Sequence, residues 1–224
     1  MRILKMTSEK EILPKKTEVE PSTLVLGANL KEYLENAPES KCDLVDGQYF
    51  HHSPSSIKHN RLRRFLEIIL ETYVREYDLG AIISENIPVK LDERNWREPD
   101  IAFISKVRVG ELQEFIYTGA PDFIIEILSE DSRFWDIVRK RAEYEQIKVE
   151  EYWIIDPLSY TNSLFLRLEG KKYQEIKFEK KRLEPACISG FFFLKEWIWP
   201  KNDYPEFHTV FRALGLLDSW LSKE

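Results

Sequence analysis

Cysteine is scarce in this sequence, which excludes a protein held together by disulfides and a protein built around a cysteine-rich metal cluster. The 224 residues include only two cysteines, Cys42 and Cys187, too few for a disulfide framework or a cysteine-rich metal cluster. This usage fits a reducing compartment. The first residues, MRILKMTSEKEILPKK, also lack the long apolar stretch of a signal peptide. We therefore expect a cytoplasmic protein.

Long apolar runs and an excess of positive charge are also missing. No run approaches the roughly 18–20 apolar residues of a membrane span, and Lys195 and Glu196 interrupt FFFLKEWIWP, so we expect no membrane association. The net charge of −6 argues against a general polyanion-binding surface. It does not exclude a nucleic-acid substrate, because a metal-dependent site carries its own carboxylates.

The composition provides a sizeable core for one large domain. Hydrophobic residues make up 43% of the chain and aromatic residues 13%. Residues 1–25 are charged and show no periodicity, which is typical of a tail or an arm lying on another surface. We expect a single domain over residues 26–224.

Apolar periodicity predicts an alternation of helices and strands. The clearest pattern is a stripe from Leu62 to Tyr77 at helical spacing, which predicts a long amphipathic helix over about 57–78. The other predicted elements are a helix at 27–36, a strand pair at 43–52 bent at Asp46-Gly47, strands at 81–91, 100–105, 123–129 and 151–157, a helix at 131–147, a hairpin at 163–178 and a helix at 210–221. This order indicates one α/β or α+β domain with a mixed sheet.

Three ionisable residues interrupt the apolar pattern. Asp100 begins the strand DIAFIS, Glu126 lies inside the apolar run FIIEILS, and Lys140 lies on the following helix. An unpaired buried carboxylate costs several kcal/mol or more, so Glu126 requires a cation or a proton. If the two strands are neighbours, Asp100 and Glu126 can converge on Mg²⁺, a hard ion that prefers oxygen ligands. Mn²⁺ can substitute for it. Such a site suits phosphodiester hydrolysis.

Each of these residues also has a simpler interpretation. Asp100 could be a turn or cap residue, since Pro-Asp occurs again at Pro121-Asp122, which we interpret as a turn before a strand. Glu126 could pair with Arg139 or Arg141. Lys140 taken alone is typical of a solvated helix position. Taken together, the three residues favour the assembled site because they stand in the order of a family that the chain resembles.

These motifs resemble those of a known nuclease superfamily. A PD dipeptide followed by a (D/E)-x-K strand is the signature of the PD-(D/E)XK nucleases. The chain more closely resembles the Uma family of restriction-endonuclease-like proteins. The matching segments are DLVDGQYFHHSPSSIKH, REPDIAFIS, APDFIIEILSEDSRFWDIVRKRAEYEQIKVEEYWIIDP and GKKYQ. The resemblance implies a restriction-endonuclease-like α/β core with a mixed central sheet flanked by helices.

The resemblance also assigns roles to individual residues. It implies that Asp100 and Glu126 are catalytic acids and metal ligands. Leu128 stands where the superfamily has its lysine, and Lys140 is expected to take over that role, sharing a helix face with Asp136 and Tyr144. Asp43 stands where the family usually has glutamate and is a possible third acid. His59 matches a frequent family histidine and is a further possible site residue.

The expected function is Mg²⁺-dependent DNA cleavage by an endonuclease. One alternative is a catalytically inactive nucleic-acid-binding or mobile-element accessory protein that keeps the shape of the site. Another is a structural homodimer without a nucleic-acid partner. The family resemblance itself suggests a homodimer, for which the N-terminal tail and the aromatic segment FFFLKEWIW could supply the interface.

Overall fold

The computed structural model describes residues 41–52, 55–85, 87–129, 132–178 and 180–221. Its strands are β1 (Cys42–Val45), β2 (Gln48–His51), β3 (Gly80–Ser84), β4 (Val89–Lys90), β5 (Trp96–Arg97), β6 (Ile101–Ser105), β7 (Phe123–Ile127), β8 (Glu151–Ile155), β9 (Leu164–Glu169), β10 (Lys172–Glu175), β11 (Arg182–Leu183) and β12 (Phe193–Leu194). Its helices are α1 (Ile57–Glu76), a π-helical segment (Trp135–Lys140) that continues into α2 (Arg141–Gln146), α3 (Lys195–Ile198), α4 (Phe207–Ala213) and α5 (Leu216–Leu221).

A six-stranded mixed sheet forms the centre of the fold. Its strand order is β10-β9-β8-β7-β6-β3, with β7 and β8 parallel and the other neighbours antiparallel. A smaller sheet has the order β2-β1-β5-β4. The parallel pair requires a crossover connection, which the π-helical segment and α2 provide. The predicted α/β architecture with a mixed central sheet is confirmed.

The central strands are apolar on both faces because each face covers a separate core. Along β7, Phe123, Ile125 and Ile127 pack into the cluster that includes α1 and the C-terminal helices. Ile124 and Leu128 pack into a second cluster, which includes Tyr144 of α2. Side chains alternate along a strand, so Glu126 points to the side of the sheet that α2 covers.

Helix α1 buries one stripe against the sheet, as its periodicity predicts. Leu62, Phe65, Leu66, Ile69, Tyr73 and Val74 are all buried, whereas Tyr77 is 40% exposed just beyond the helix. His59 lies one turn before Leu62 on the same stripe and is buried as well. Ser56 caps the helix by accepting a hydrogen bond from the His59 backbone N–H.

Two predicted elements are divided in the structure. Residues 81–91 form β3 and β4, which belong to different sheets; Pro88 lies between them and cannot donate to a ladder. The C-terminal helix breaks at Gly215, whose φ of 74° is outside the helical range. The predicted helix at 27–36 lies outside the described residues. Within those residues, no helix has the length and apolar character needed to cross a membrane.

Candidate metal centre

Asp100 sits at the start of β6 with each carboxylate oxygen engaged. Its Oδ2 accepts a hydrogen bond from the Ile127 backbone N–H at 2.7 Å, which ties the aspartate to the end of β7. Its Oδ1 lies 2.5 Å from Lys41 Nζ and 3.5 Å from His59 Nε2. The residue is 1% exposed. Asp100 is therefore part of a buried charge cluster rather than a solvated turn.

Glu126 and Lys140 form a buried ion pair. Lys140 Nζ is 2.8 Å from Glu126 Oε1, and the Tyr144 hydroxyl donates to the same oxygen at 3.3 Å. Lys140 is 2% exposed, so it is not a solvated helix residue. Arg139, the alternative partner for Glu126, instead contacts Asp46 and Glu143.

Three carboxylates surround the single ammonium group of Lys140. Besides Glu126, they are Asp136 at 3.2 Å and Asp43 at 3.9 Å. Asp136 and Lys140 both belong to the π-helical segment. π-helices are rare, and those that occur are often found at functional sites. The predicted shared face of Asp136, Lys140 and Tyr144 is present, because Lys140 contacts Asp136 and both Lys140 and Tyr144 contact Glu126.

Asp43 lies near Lys140 because hydrogen bonds and ion pairs connect the small sheet to the rest of the domain. Its Oδ1 accepts from the Glu98 backbone N–H, and its Oδ2 lies 3.2 Å from His52 Nε2. The buried guanidinium of Arg97 forms a bidentate pair with Glu143 of α2 and donates to the Leu44 carbonyl. These contacts hold β1 beside α2.

The structure adds two residues that the sequence patterns do not single out. Lys41 contacts Asp100 directly, and Glu85 lies close to both Asp100 and His59: one potential ligand atom from each of the three lies within 4.8 Å of the other two. Ser84 pairs with Ile101 in the antiparallel ladder of β3 and β6. The next step of that ladder brings Glu85 beside Asp100, so its position follows from the strand register, which the periodicity of the sequence does not give.

The pKa of one buried acid, Glu126, is raised, whereas the pKa values of Asp100 and Asp43 are lowered. Burial raises the pKa of Glu126 to about 7, although the charges of Lys140 and Lys41 act to lower it. Burial also acts to raise the pKa of Asp100, but Lys41 and His59 bring it well below its ordinary value. The pKa of Asp43 is likewise lowered, because Lys140 and His52 outweigh burial. Burial acts to lower the pKa of Lys140, and Glu126 and Asp136 raise it well above the usual range.

The raised pKa of Glu126 predicts a specific dependence of stability on pH. Its folded-state pKa of about 7 lies above the reference value of 4.5, so the folded protein binds more protons between these values. The stability that this protonation contributes is full below about pH 4.5 and is lost as the pH rises through 7. We expect urea unfolding in EDTA to show this decline from pH 5 to 8 in the wild type. Glu126→Gln should remove that component, and equal slopes in both proteins would contradict the prediction.

The donor set fits a divalent cation. Three carboxylates share the ammonium of Lys140, which leaves an excess of negative charge in a buried place. Carboxylate oxygens are ligands of hard divalent ions. His59 adds a buried imidazole whose ring nitrogens have no hydrogen-bond partner in the described part of the chain. Asp100, Glu126 and Asp43 are the acids that could hold such an ion.

Residues 30–194 match the Uma2 family, which is described as "Putative restriction endonuclease". The match covers roughly three quarters of the chain. The chain belongs to this family. None of the curated proteins matches it at a significant level. A solved structure with the same fold, described as a putative nuclease of the DUF820 group from Anabaena variabilis, superposes with a TM-score of 0.63. It is 16% identical, and the match covers 77% of this chain and 97% of that one.

As an Uma2 protein, the chain departs from the superfamily pattern at the lysine. Leu128 occupies the usual lysine position, and its side chain is buried in the apolar cluster beneath α2. Lys140 brings an ammonium to Glu126 from the following helix instead. Restriction-endonuclease-like families generally use a divalent metal, and the acidic cluster around Asp100 is compatible with one.

Proposed function

We propose that this Uma2 protein is a Mg²⁺-dependent endonuclease that hydrolyses phosphodiester bonds in DNA. The observation that carries the proposal is the pair of buried acids on adjacent strands, Asp100 and Glu126, each held by a lysine ammonium. In the proposed site these two acids hold the metal, and Asp43 is a possible third ligand. A bound Mg²⁺ supplies Lewis-acid activation of water and stabilises charge on the phosphate.

The remaining roles belong to the side chains around the acids. Lys140 holds the Glu126 carboxylate and is the ammonium nearest to it, so it is assigned the superfamily lysine's task of orienting the attacking water. The Ile127 N–H fixes the orientation of Asp100. Tyr144 donates to Glu126 and limits its rotation. The apolar residues around Glu126 exclude water from one side of the site.

A nucleic-acid-binding protein without catalytic activity is the second candidate. The contacts of Lys140 favour this candidate, because its side chain is only 3% exposed and its ammonium already contacts three carboxylates. Such a lysine can be a purely structural counter-ion. The predicted homodimer and a cytoplasmic location stay predictions.

Removal of divalent metal tests the proposal. Purified protein is incubated with supercoiled plasmid DNA in EDTA and then with Mg²⁺ or Mn²⁺ in excess. We expect nicked and linear products with either metal and intact plasmid in EDTA, because the proposed mechanism requires metal-activated water. A filter-binding measurement in EDTA runs in parallel. Intact plasmid under all conditions, together with metal-independent DNA retention, would contradict the nuclease and favour the binding protein.

A further inference from the structure

His59, Glu85 and Asp100 converge from three separate segments. His59 lies in the first turn of α1, Glu85 follows β3, and Asp100 precedes β6. One nitrogen or oxygen of each lies within 4.8 Å of those of the other two. His59 and Asp100 are buried, whereas the side chain of Glu85 is 23% exposed. The cluster therefore has a buried floor and one side open to solvent, through which an ion can enter.

His59 is the independent observation that points to a ligand. The residue is 5% exposed, and neither ring nitrogen finds a hydrogen-bond partner among the residues that the structure describes. Its Nε2 faces Asp100 Oδ1 at 3.5 Å, beyond the usual hydrogen-bond distance. Leaving a buried polar group unsatisfied destabilises the fold, and buried polar side chains usually have partners. A cation bound between these residues would satisfy Nε2.

Two protein cations currently balance the acids of this cluster. Lys41 Nζ contacts Asp100 Oδ1, and Arg63 Nη2 lies 3.3 Å from Glu85 Oε2. Both are long side chains that can move aside, and 16% of the side chain of each is exposed. A metal ion bound here would take over the charge of the Lys41 ammonium on Asp100. Lys41 is therefore a competitor for the site.

We infer that His59, Glu85 and Asp100 form a cation site of their own, which takes a divalent transition metal. One imidazole nitrogen and two carboxylate oxygens form a mixed donor set, and imidazole favours first-row transition metals, whereas Mg²⁺ prefers oxygen alone. The site shares Asp100 with the proposed nuclease centre, but Glu126 is not among the residues whose ligand atoms converge here. The inference extends the proposed function to a second ion, and its test does not require cleavage.

Mn²⁺ is the probe, because electron spin-echo spectroscopy detects nitrogen bonded to this ion. We expect the wild-type protein to bind Mn²⁺ with a ¹⁴N modulation and to lose it only to a large excess of Mg²⁺. His59→Gln and Glu85→Gln should each weaken Mn²⁺ binding at least about tenfold, and His59→Gln should abolish the nitrogen modulation. His208→Gln, at an exposed histidine, is the matched control and should retain both. Labelling histidine with ¹⁵N shows the ligand type in the wild type without any substitution.

Lys41→Gln distinguishes a cation site from a cluster that only stabilises the fold, because only a cation site would bind Mn²⁺ more tightly in this variant. Removal of the ammonium that competes for Asp100 should tighten Mn²⁺ binding at least about fivefold. Bound Mn²⁺ without nitrogen modulation, or no bound Mn²⁺, would overturn the inference, and the plasmid assay with Mg²⁺ would still decide the nuclease separately. Nitrogen-coupled Mn²⁺ in a protein that cuts no DNA would support the cation site and contradict the proposed function.

Discussion

Asp100→Asn is expected to reduce metal-dependent DNA cleavage at least about a thousandfold, since a metal ligand supports several kcal/mol of transition-state stabilisation. The substitution keeps the shape of the side chain, and its amide oxygen can still accept the hydrogen bond from the Ile127 N–H. It removes the charge on Oδ1 that faces Lys41 and His59. Initial cleavage rates over a range of Mg²⁺ concentrations measure the loss.

The second Pro-Asp pair supplies a matched control for this variant. Asp122 is also buried and also accepts a backbone hydrogen bond, from the Ser105 N–H at 2.7 Å. Its charged neighbour is Arg108 rather than the residues of the metal centre. Asp122→Asn should therefore cleave within about threefold of the wild type once folding has been verified by circular dichroism. Equal activity of Asp100→Asn and the wild type would remove Asp100 from the proposed mechanism.

The sequence predicts the acids of the candidate site because they are charged residues in or next to apolar strand segments. Glu126 is charged within an apolar strand and therefore requires a partner; the family resemblance points to Lys140, which the structure places 2.8 Å away. The helical spacing of Asp136, Lys140 and Tyr144 then predicts which side chains share that face. The same periodicity explains why α1 and the central strands could be predicted, since their faces pack against continuous cores.

Lys41 and Glu85 could not be predicted, because their environment is created by chain pairing over long distances. Lys41 and Asp100 are 59 residues apart, and a lysine before a strand is a typical solvated residue. Glu85 approaches Asp100 only through the register of β3 against β6, and a one-residue shift would turn its side chain to the other face. Local periodicity contains no information about register between strands. Such contacts follow from tertiary structure alone.

Lys140→Met is expected to destabilise the metal-free protein by about 3–5 kcal/mol, the usual cost of leaving a buried charge without its partner. Methionine fills a similar volume but leaves Glu126, Asp136 and Asp43 without the ammonium that they share. Urea unfolding in EDTA at pH 8 measures the change. This pH is above the pKa of about 7 of Glu126, so that carboxylate carries its charge in the wild type.

A lysine–glutamate pair between β10 and α2, in which the lysine is exposed, provides the comparison. Lys172 Nζ is 2.7 Å from Glu145 Oε1, as close as Lys140 is to Glu126, but its side chain is 77% exposed. Exposed ion pairs contribute about 0–1 kcal/mol, so Lys172→Met should have little effect on unfolding. A cost for Lys140→Met as small as that of Lys172→Met would show that the carboxylates do not depend on Lys140.

The double variant Lys140→Met/Glu126→Gln separates the charge from the packing. If Lys140 acts as a counter-ion, neutralising Glu126 should recover part of the lost stability, because removing both partners of a buried pair costs less than removing one. The double variant should then be more stable than Lys140→Met alone. Additive losses would mean that Lys140 stabilises the fold by packing. In that case the ammonium would not be the group that keeps Glu126 ionised, and the proposal that Lys140 replaces the lysine absent at Leu128 would be wrong.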